Sequence, residues 1–241
     1  MKAYFIIIFA LLLQVSLLMG QENNANLQEN IPSKKNTHKL CGEAHRQSPI
    51  QIIKGKKKTH QISFNYMKSH EVVLNLGHTV ELKYDEGSNI TLDKKNYQLI
   101  QMHFHTPSEH WIKKKKFIME AHLVHQSSDG NYAVVAVLFE EGIENDFLSK
   151  FIKDIPEKKE TETEKNQSIQ IADILPKEKA FFMYSGSLTT PPYTEGVRWL
   201  IFQMSQKCTL QQSDAIKKVE GFNARNLQKL NHRKVEIFKN Q

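Results

Sequence analysis

Two segments, YQLIQMHFH at residues 97–105 and FIMEAHLVH at residues 117–125, indicate both the fold and the chemistry of this chain. Each is a short apolar run rich in aromatic or branched residues and bounded by turn-forming residues, which predicts a β-strand. Residues two apart on a strand point to the same face. His103 and His105 therefore share a face, and the short connection lets the two strands lie side by side.

The second segment offers two histidines that lie three residues apart, His122 and His125, and a strand places them on opposite faces. His125 shares its face with apolar residues, and this pattern predicts that His125 is a buried structural histidine. His122 joins His103 and His105 in a set of three imidazoles. Structural zinc sites are closed by four protein ligands, whereas catalytic zinc keeps an open position, so this set predicts a catalytic Zn²⁺.

Two polar residues stand beside these histidines on the same strand faces. Metal-bound histidine usually donates its other N–H to an oxygen, and we expect Gln101 and Glu120 to accept these bonds.

The segment that begins at His103 also matches the His-x-His-x3-Glu pattern of cupins, which ends here at Glu109. Cupins carry a glycine where this chain has Tyr97, and they carry a second motif that this chain lacks, so the cupin interpretation is disfavoured.

Short strand-like runs continue through most of the chain, with one helix near the end. The stretch 154–168 is predicted as a surface loop, with or without a helical turn, and residues 211–220 as a short helix. The predicted fold class is mainly β (α+β): a single domain around a large twisted, mostly antiparallel β-sheet with a few short peripheral helices. The other predicted strands are 62–66, 71–76, 78–84, 132–139, 180–188 and 196–204.

The N-terminus has the features of a targeting segment. A lysine precedes an apolar run that ends near Gly20, which predicts a signal peptide at 1–20, with a retained anchor as the alternative. A flexible polar lead-in at 21–39 and a catalytic domain at 40–241 follow. We expect a secreted or periplasmic protein, in which Cys41 and Cys208 either pair or stay free.

The 241 residues carry a formal net charge of +7. Two basic runs, at 54–58 and 113–116, contain no interleaved aromatic residues and are predicted to be solvated loops or hairpin tips. We therefore expect no nucleic-acid partner and no membrane contact after signal cleavage. The expected partner is a small molecule, and the expected oligomeric state is a monomer or a dimer.

Several separated motifs resemble the α-class carbonic anhydrases. They span the chain from about residue 40 almost to its end, in the family's order: RQSPIQI (46–52), NLGHTVEL (75–82), QMHFHTPSEH (101–110), EAHLVH (120–125), YSGSLTTPPYTEGVRW (184–199) and FNARNLQKLNHRKV (222–235). The resemblance implies reversible hydration of CO₂ to bicarbonate and a proton by zinc-bound hydroxide. The alternatives are a carbonic anhydrase-like binding module with little activity, or another secreted zinc hydrolase.

The resemblance also implies roles for further residues. Thr189 matches the threonine that orients the hydroxide, Glu109 the carboxylate that fixes this threonine, and His78 the proton shuttle. Asn223 matches the residue whose backbone carbonyl accepts from the second zinc histidine. The residues that match the substrate pocket are Val124, Val134, Leu188, Thr190 and Trp199.

Three features depart from the family's pattern. Residues 21–40 contain no aromatic residue, although relatives usually carry an aromatic cluster ahead of this point. Tyr193 stands where secreted relatives often have the partner of the cysteine at position 41. Glu81 stands where a glutamine or asparagine is common in the pocket, and this negative group is expected to alter anion binding.

Overall fold

The computed structural model describes residues 45–239, which lie within one compact unit. The predicted signal peptide at 1–20, the predicted lead-in at 21–39 and Cys41 lie outside the described residues. Cys208 is buried and forms no disulfide with another described residue. Among the described residues, no helix has both the length and the apolar character needed to cross a membrane.

Strands dominate the described part of the chain, and most of them form one large mixed sheet. The strands are β1 (Gln51–Ile52), β2 (Lys56–Lys57), β3 (Ile62–Asn65), β4 (Lys68–Asn75), β5 (Val80–Lys83), β6 (Asn89–Leu92), β7 (Lys95–His105), β8 (Trp111–Ile112), β9 (Met119–Gln126), β10 (Tyr132–Glu141), β11 (Thr161–Gln170), β12 (Ala180–Ser187), β13 (Glu195–Phe202), β14 (Gln206–Cys208) and β15 (Glu236–Lys239). The main sheet has the order β11-β4-β5-β7-β9-β10-β13-β12-β15-β2.

The central strand pairs are antiparallel, with a few parallel exceptions. β5, β7, β9 and β10 pair antiparallel in turn, while β10 pairs parallel with β13 and β14. β6 extends the sheet from β7 and carries β3 at its other edge. β1 and β8 form a separate parallel pair. The observed fold confirms the predicted fold class.

Two short α-helices lie among the described residues, α1 (Asp146–Phe151) and α2 (Leu210–Glu220). α2 matches the helix predicted at 211–220. It begins at a capping box in which the Thr209 hydroxyl accepts from the N–H of Gln212 and the Gln212 side chain accepts from the N–H of Thr209. A single turn of 3-10 helix (Ile152–Asp154) follows α1.

Each face of the central strands packs into its own apolar cluster. Met102, Phe104, Leu123 and Val135 belong to the larger cluster, together with α1 and α2. On the opposite face, Val124 of β9 and Val134, Ala136 and Leu138 of β10 belong to a second cluster around Trp199. Because strand residues alternate between faces, the histidines at odd positions of β7 face the second cluster.

Two predicted elements are wrong. The basic run 54–58, predicted as a loop or hairpin tip, contains the short exposed strand β2, which pairs with β15. The charged stretch 154–168, predicted as a surface loop, contains most of β11, which pairs antiparallel with β4 at the edge of the main sheet. Most of its side chains are exposed, and Ile169 is its one buried residue. An edge strand needs no apolar face when charged side chains point to solvent on both sides, so its sequence carries no alternation of apolar and polar residues.

Candidate active site

Three histidines on two neighbouring strands converge on one face of the sheet. His103 on β7 lies opposite His122 on β9, and His105 lies opposite Glu120. The ring centroids are 4.9 Å apart for His103 and His105, 5.2 Å for His103 and His122, and 4.5 Å for His105 and His122. One ring nitrogen from each histidine lies within 4.8 Å of those of the other two. The strand register thus brings together the three side chains that the sequence singles out.

Hydrogen bonds on the outer side of two rings determine which nitrogen faces the centre. His103 Nδ1 lies 2.8 Å from Gln101 Oε1, and His122 Nε2 lies 2.8 Å from Glu120 Oε1. Both partners are acceptors, so these nitrogens carry the hydrogen. The lone pairs are left on His103 Nε2 and His122 Nδ1. His103 Nε2 also lies 3.1 Å from His105 Nε2, where two lone pairs would repel without a shared cation or proton.

Burial keeps the three rings uncharged. Burial and the neighbouring rings lower the pKa of His103 well below its ordinary value. Burial lowers the pKa of His105 to about 4 and also lowers the pKa of His122. Only a neutral imidazole binds a metal ion, so the set is in its ligand form at neutral pH.

Glu120 is buried beneath the histidines and accepts four hydrogen bonds. Its Oε1 accepts from His122 Nε2 at 2.8 Å and from His110 Nδ1 at 2.7 Å. Its Oε2 accepts from the backbone N–H groups of Glu109 and His110, both at 2.8 Å. Burial alone would raise the pKa of Glu120, but the two histidines outweigh it and hold the pKa well below the ordinary value. Glu120 is therefore a carboxylate that supports the His122 ring.

Glu109 is also buried, but only one of its carboxylate oxygens has a hydrogen bond. Oε1 accepts from the backbone N–H of Arg225 at 2.8 Å. Oε2 lies 3.6 Å from His105 Nε2 and is a buried oxygen without a hydrogen-bond partner among residues 45–239. Burial raises the pKa of Glu109, while His122 and the Thr189 side chain act against that rise. The open oxygen therefore lies beside the histidine cluster, with Thr189 nearby.

Asn223 ties the loop after α2 to the strand end that carries His105. Its Nδ2 donates to the carbonyl of Phe104 at 3.0 Å, and its Oδ1 accepts from the N–H of Thr106 at 3.0 Å. His105 Nδ1, between these two, is buried without a hydrogen-bond partner in the described part of the chain. The Asn223 backbone is among the groups that raise the pKa of this ring. The bond from His105 Nδ1 to the Asn223 carbonyl stays a prediction.

His78 is exposed and lies in the turn between β4 and β5. Its Nδ1 lies 3.0 Å from the carbonyl of Leu76, which can only accept, so Nε2 is the nitrogen left to exchange protons. Charge on His78 contributes to the lowered pKa of His103, which puts the two rings within electrostatic reach. The structure thus places an exposed imidazole beside the cleft.

An apolar wall adjoins the histidines on the same face of the sheet. Three predicted pocket residues lie in one row across β9, β10 and β13: Val124, Val134 and Trp199. The Trp199 ring lies 4.8 Å from the His122 ring, centroid to centroid. Leu188 packs against this cluster from the loop after β12, and Thr190 is exposed two residues further on. The cleft therefore has a polar side on β7 and an apolar side on β10 and β13.

A family model described as eukaryotic-type carbonic anhydrase matches residues 30–239. The chain belongs to the α carbonic anhydrase family. Members of this family hydrate CO₂ reversibly to bicarbonate and a proton, so the protein is an enzyme of the lyase class. Its substrates are the small molecules CO₂ and bicarbonate.

Individual relatives agree with this assignment. A carbonic anhydrase of Neisseria gonorrhoeae is 38% identical over 200 residues, covering 82% of this chain and 79% of the relative. The solved α-carbonic anhydrase of Photobacterium profundum has a TM-score of 0.78 at 37% identity, covering 81% of this chain and 91% of that one. The α-carbonic anhydrase of Thermovibrio ammonificans, solved with the inhibitor sulfanilamide, has a TM-score of 0.77 at 37% identity, covering 80% and 87%.

Sequence reasoning missed one residue that the site uses, His110. Its Nδ1 reaches Glu120, and its Nε2 lies 2.7 Å from the Tyr184 hydroxyl, which donates to Ser48 Oγ at 2.7 Å. This carbonic anhydrase thus has a buried polar chain that runs from Glu120 away from the cleft. His110 follows β7 in a loop, where the alternation of strand faces does not apply. The features that mark His110 are its complete burial and its contact with the Glu120 carboxylate, and neither can be read from the sequence.

A second group, formed by His110, Glu120 and His122, also meets the distance criterion for metal ligands. Its atoms are already paired, because both histidine N–H groups bond to the same Glu120 oxygen. A cation there would have to displace two hydrogens from a hydrogen-bonded carboxylate. The open nitrogens of the three-histidine set fit a metal ion, whereas this group does not.

Proposed function

We propose that this carbonic anhydrase binds one Zn²⁺ through His103 Nε2, His105 Nε2 and His122 Nδ1. The observation that carries the proposal is that these nitrogens converge while the opposite nitrogens of His103 and His122 are held by Gln101 and Glu120. Three neutral imidazoles, with no fourth ligand beside them among residues 45–239, are the donor set of catalytic zinc. When bound, zinc lowers the pKa of a water toward neutrality and supplies a nucleophile, the property for which carbonic anhydrase is the standard example.

Glu109 and Thr189 orient the attacking water. The Thr189 side chain lies within reach of the Glu109 carboxylate, which can only accept, so the Thr189 hydroxyl is the donor of this pair. That leaves the lone pairs of the Thr189 oxygen to accept the hydrogen of the attacking water. With this hydrogen fixed, the water directs a lone pair at the substrate carbon. The contribution is orientation, which removes the entropy cost of aligning two reactants.

CO₂ is bound by the apolar wall of Val124, Val134, Leu188 and Trp199. The substrate has no net charge or dipole, so apolar contact suits it, while the bicarbonate product prefers water. The backbone N–H of Thr189 donates to a substrate oxygen as negative charge develops there. Thr190 stands at the rim of this pocket. The wall therefore favours the neutral substrate over the charged product.

His78 carries the released proton out of the cleft. Its Nδ1 is held by the Leu76 carbonyl, so Nε2 takes a proton from cleft water and passes it to buffer. Imidazole is the side chain best suited to both accepting and releasing a proton, which is why histidine serves as a proton shuttle. A buried residue could not exchange with buffer, and His78 is exposed.

The N-terminal segment 1–20 directs the enzyme out of the cytoplasm, to the periplasm or the medium. This part of the proposal rests on sequence: a lysine, an apolar run and a small residue before a polar stretch. The mature enzyme is expected to act without a membrane partner, as a monomer or a dimer. N-terminal sequencing of the exported protein tests the cleavage site.

The zinc proposal is tested by measuring metal content and CO₂ hydration on the same samples. Purified enzyme should hold one zinc per chain, and His122→Ala should lose at least about a hundredfold in activity together with its zinc. His70→Ala is the matched control, because His70 is an exposed histidine on β4. Its zinc content and rate should equal those of the wild type.

Two results would contradict the proposal. One is a zinc-free enzyme that hydrates CO₂ at the wild-type rate. The other is a His122→Ala variant that keeps both its zinc and its activity. Circular dichroism of each variant shows whether a loss reflects the missing ligand or a failure to fold.

A further inference from the structure

Glu81 lies in the same cleft, on the polar side of the histidines. It pairs directly with His103 across β5 and β7. Residues directly opposite each other in an antiparallel pair project to the same face, with Cβ atoms about 5 Å apart. The Glu81 side chain therefore faces the proposed metal centre, on the side opposite the apolar wall.

The Glu81 carboxylate is not neutralised by a partner. It has no hydrogen bond or ion pair with any residue in 45–239, although its side chain is partly buried. The nearest cation that acts on it is Lys83, two residues along β5. Lys83 is itself bound to Glu162 on β11, so its charge is shared with a second carboxylate.

The same face of the sheet stays acidic beyond Glu81. Leu74 follows Glu81 in the row, and Glu162 follows Leu74 on the edge strand. Glu164 faces the same side, opposite Val72. Glu81, Glu162 and Glu164 therefore share this side with Lys83 and, at the far end of β4, Lys68, although the whole chain carries a net charge of +7.

From this placement we propose that Glu81 is a specificity-determining residue that repels anions from the metal centre. The proposal rests on the zinc site described above. A negative side chain beside the cleft opposes every anionic ligand, including bicarbonate and inorganic anions. It leaves neutral CO₂ unaffected, since a charge has no first-order interaction with a molecule that lacks charge and dipole.

The expected effect is a change in anion affinity of about fivefold. The Glu81 carboxylate and a bound anion about 8 Å away, at a dielectric constant between those of protein and water, repel each other strongly enough for a change of this size. Because Glu81 is only partly buried, the effect should shrink at high ionic strength, where the Debye length falls to about 3 Å at 1 M salt.

The test compares wild type with Glu81→Gln, which keeps the shape and removes the charge. The protein is loaded with Co²⁺, and the visible spectrum is titrated with thiocyanate at about pH 8.5. Glu81→Gln should bind thiocyanate about fivefold more tightly, with a smaller difference in strong salt. Both proteins should bind the same amount of Co²⁺.

Two further variants separate a charge effect from a general disturbance. Lys83→Gln removes the cation that acts on Glu81, so it should weaken thiocyanate binding. Glu86→Gln, on the exposed turn after β5, removes the same charge at a distance and should change nothing.

The proposal is overturned if Glu81→Gln binds thiocyanate no more tightly than the wild type, or if Glu86→Gln shows the same gain. A protein that binds no Co²⁺ at all would refute the metal site instead. The titration is read from the spectrum rather than from turnover, so the two failures are distinguishable.

Discussion

Replacing Glu120 by glutamine would disturb the site without changing its shape. The carboxylate accepts two bonds at Oε1, from His122 and His110, and two at Oε2, from backbone N–H groups. A glutamine has one oxygen that accepts and one NH₂ group that only donates. Whichever way the amide turns, two buried donors face its NH₂ group.

The cost follows from these unsatisfied donors. Leaving a buried donor without its acceptor costs about 1–3 kcal/mol, so two of them cost about 2–6 kcal/mol of folding free energy. Glu120 is fully buried, so water cannot replace the lost acceptor. The same change weakens the support of the His122 ring, which should lower zinc affinity about 10- to 100-fold.

Urea unfolding of the metal-free proteins measures the first effect, and zinc competition with a chelator measures the second. Glu162→Gln is the control: it breaks an exposed pair with Lys83, which is worth about 0–1 kcal/mol. If Glu120→Gln were as stable as this control and bound zinc as tightly as the wild type, the assigned hydrogen-bond network would be wrong.

Three further predictions concern the proton path, the pH response and the substrate wall. His78→Ala should slow hydration about tenfold in dilute buffer, and added imidazole should restore part of the rate; equal rates in dilute buffer would exclude the shuttle. Burial raises the pKa of Glu220 to about 8, above its ordinary 4.5, although Thr106 and Val80 donate hydrogen bonds to it. The protonated Glu220 therefore stabilises the fold fully below about pH 4.5, and this contribution is lost as the pH rises toward 8. In Glu220→Gln, the free energy of unfolding measured in urea should fall less between these two pH values than in the wild type. An equal fall in both proteins would contradict this assignment. Val124→Phe should occupy the space beside the apolar wall and lower kcat/KM for CO₂ at least about tenfold, with the zinc content unchanged. An unchanged kcat/KM would mean that the substrate binds elsewhere.

The central strands were predictable because their burial requires a regular alternation of residues between the two faces of each strand. β7 and β9 alternate between the core face and the cleft face, and this alternation alone separates His122 from His125. His125 is buried on the core face with its Nε2 2.9 Å from the Tyr66 hydroxyl, as expected of a structural histidine. Where one face of a strand is buried, the register is strongly constrained, so local sequence suffices.

The rest depended on contacts that no local pattern records. β11 is held by its hydrogen bonds to β4, and its charged side chains resemble those of a loop. His110 is placed by Glu120 and Tyr184, which lie 10 and 74 residues away in the chain. Glu81 and Lys83 lie two residues apart in the sequence, but Lys83 pairs with Glu162 on another strand, a contact that the sequence does not show.

In the proposed site, three histidine nitrogens hold one zinc ion and leave a fourth position open. X-ray absorption at the zinc edge of the purified enzyme measures this arrangement. We expect three nitrogen neighbours at about 2.0–2.1 Å and one oxygen neighbour at a similar distance. A sulfur neighbour, or fewer nitrogen neighbours than three, would contradict it.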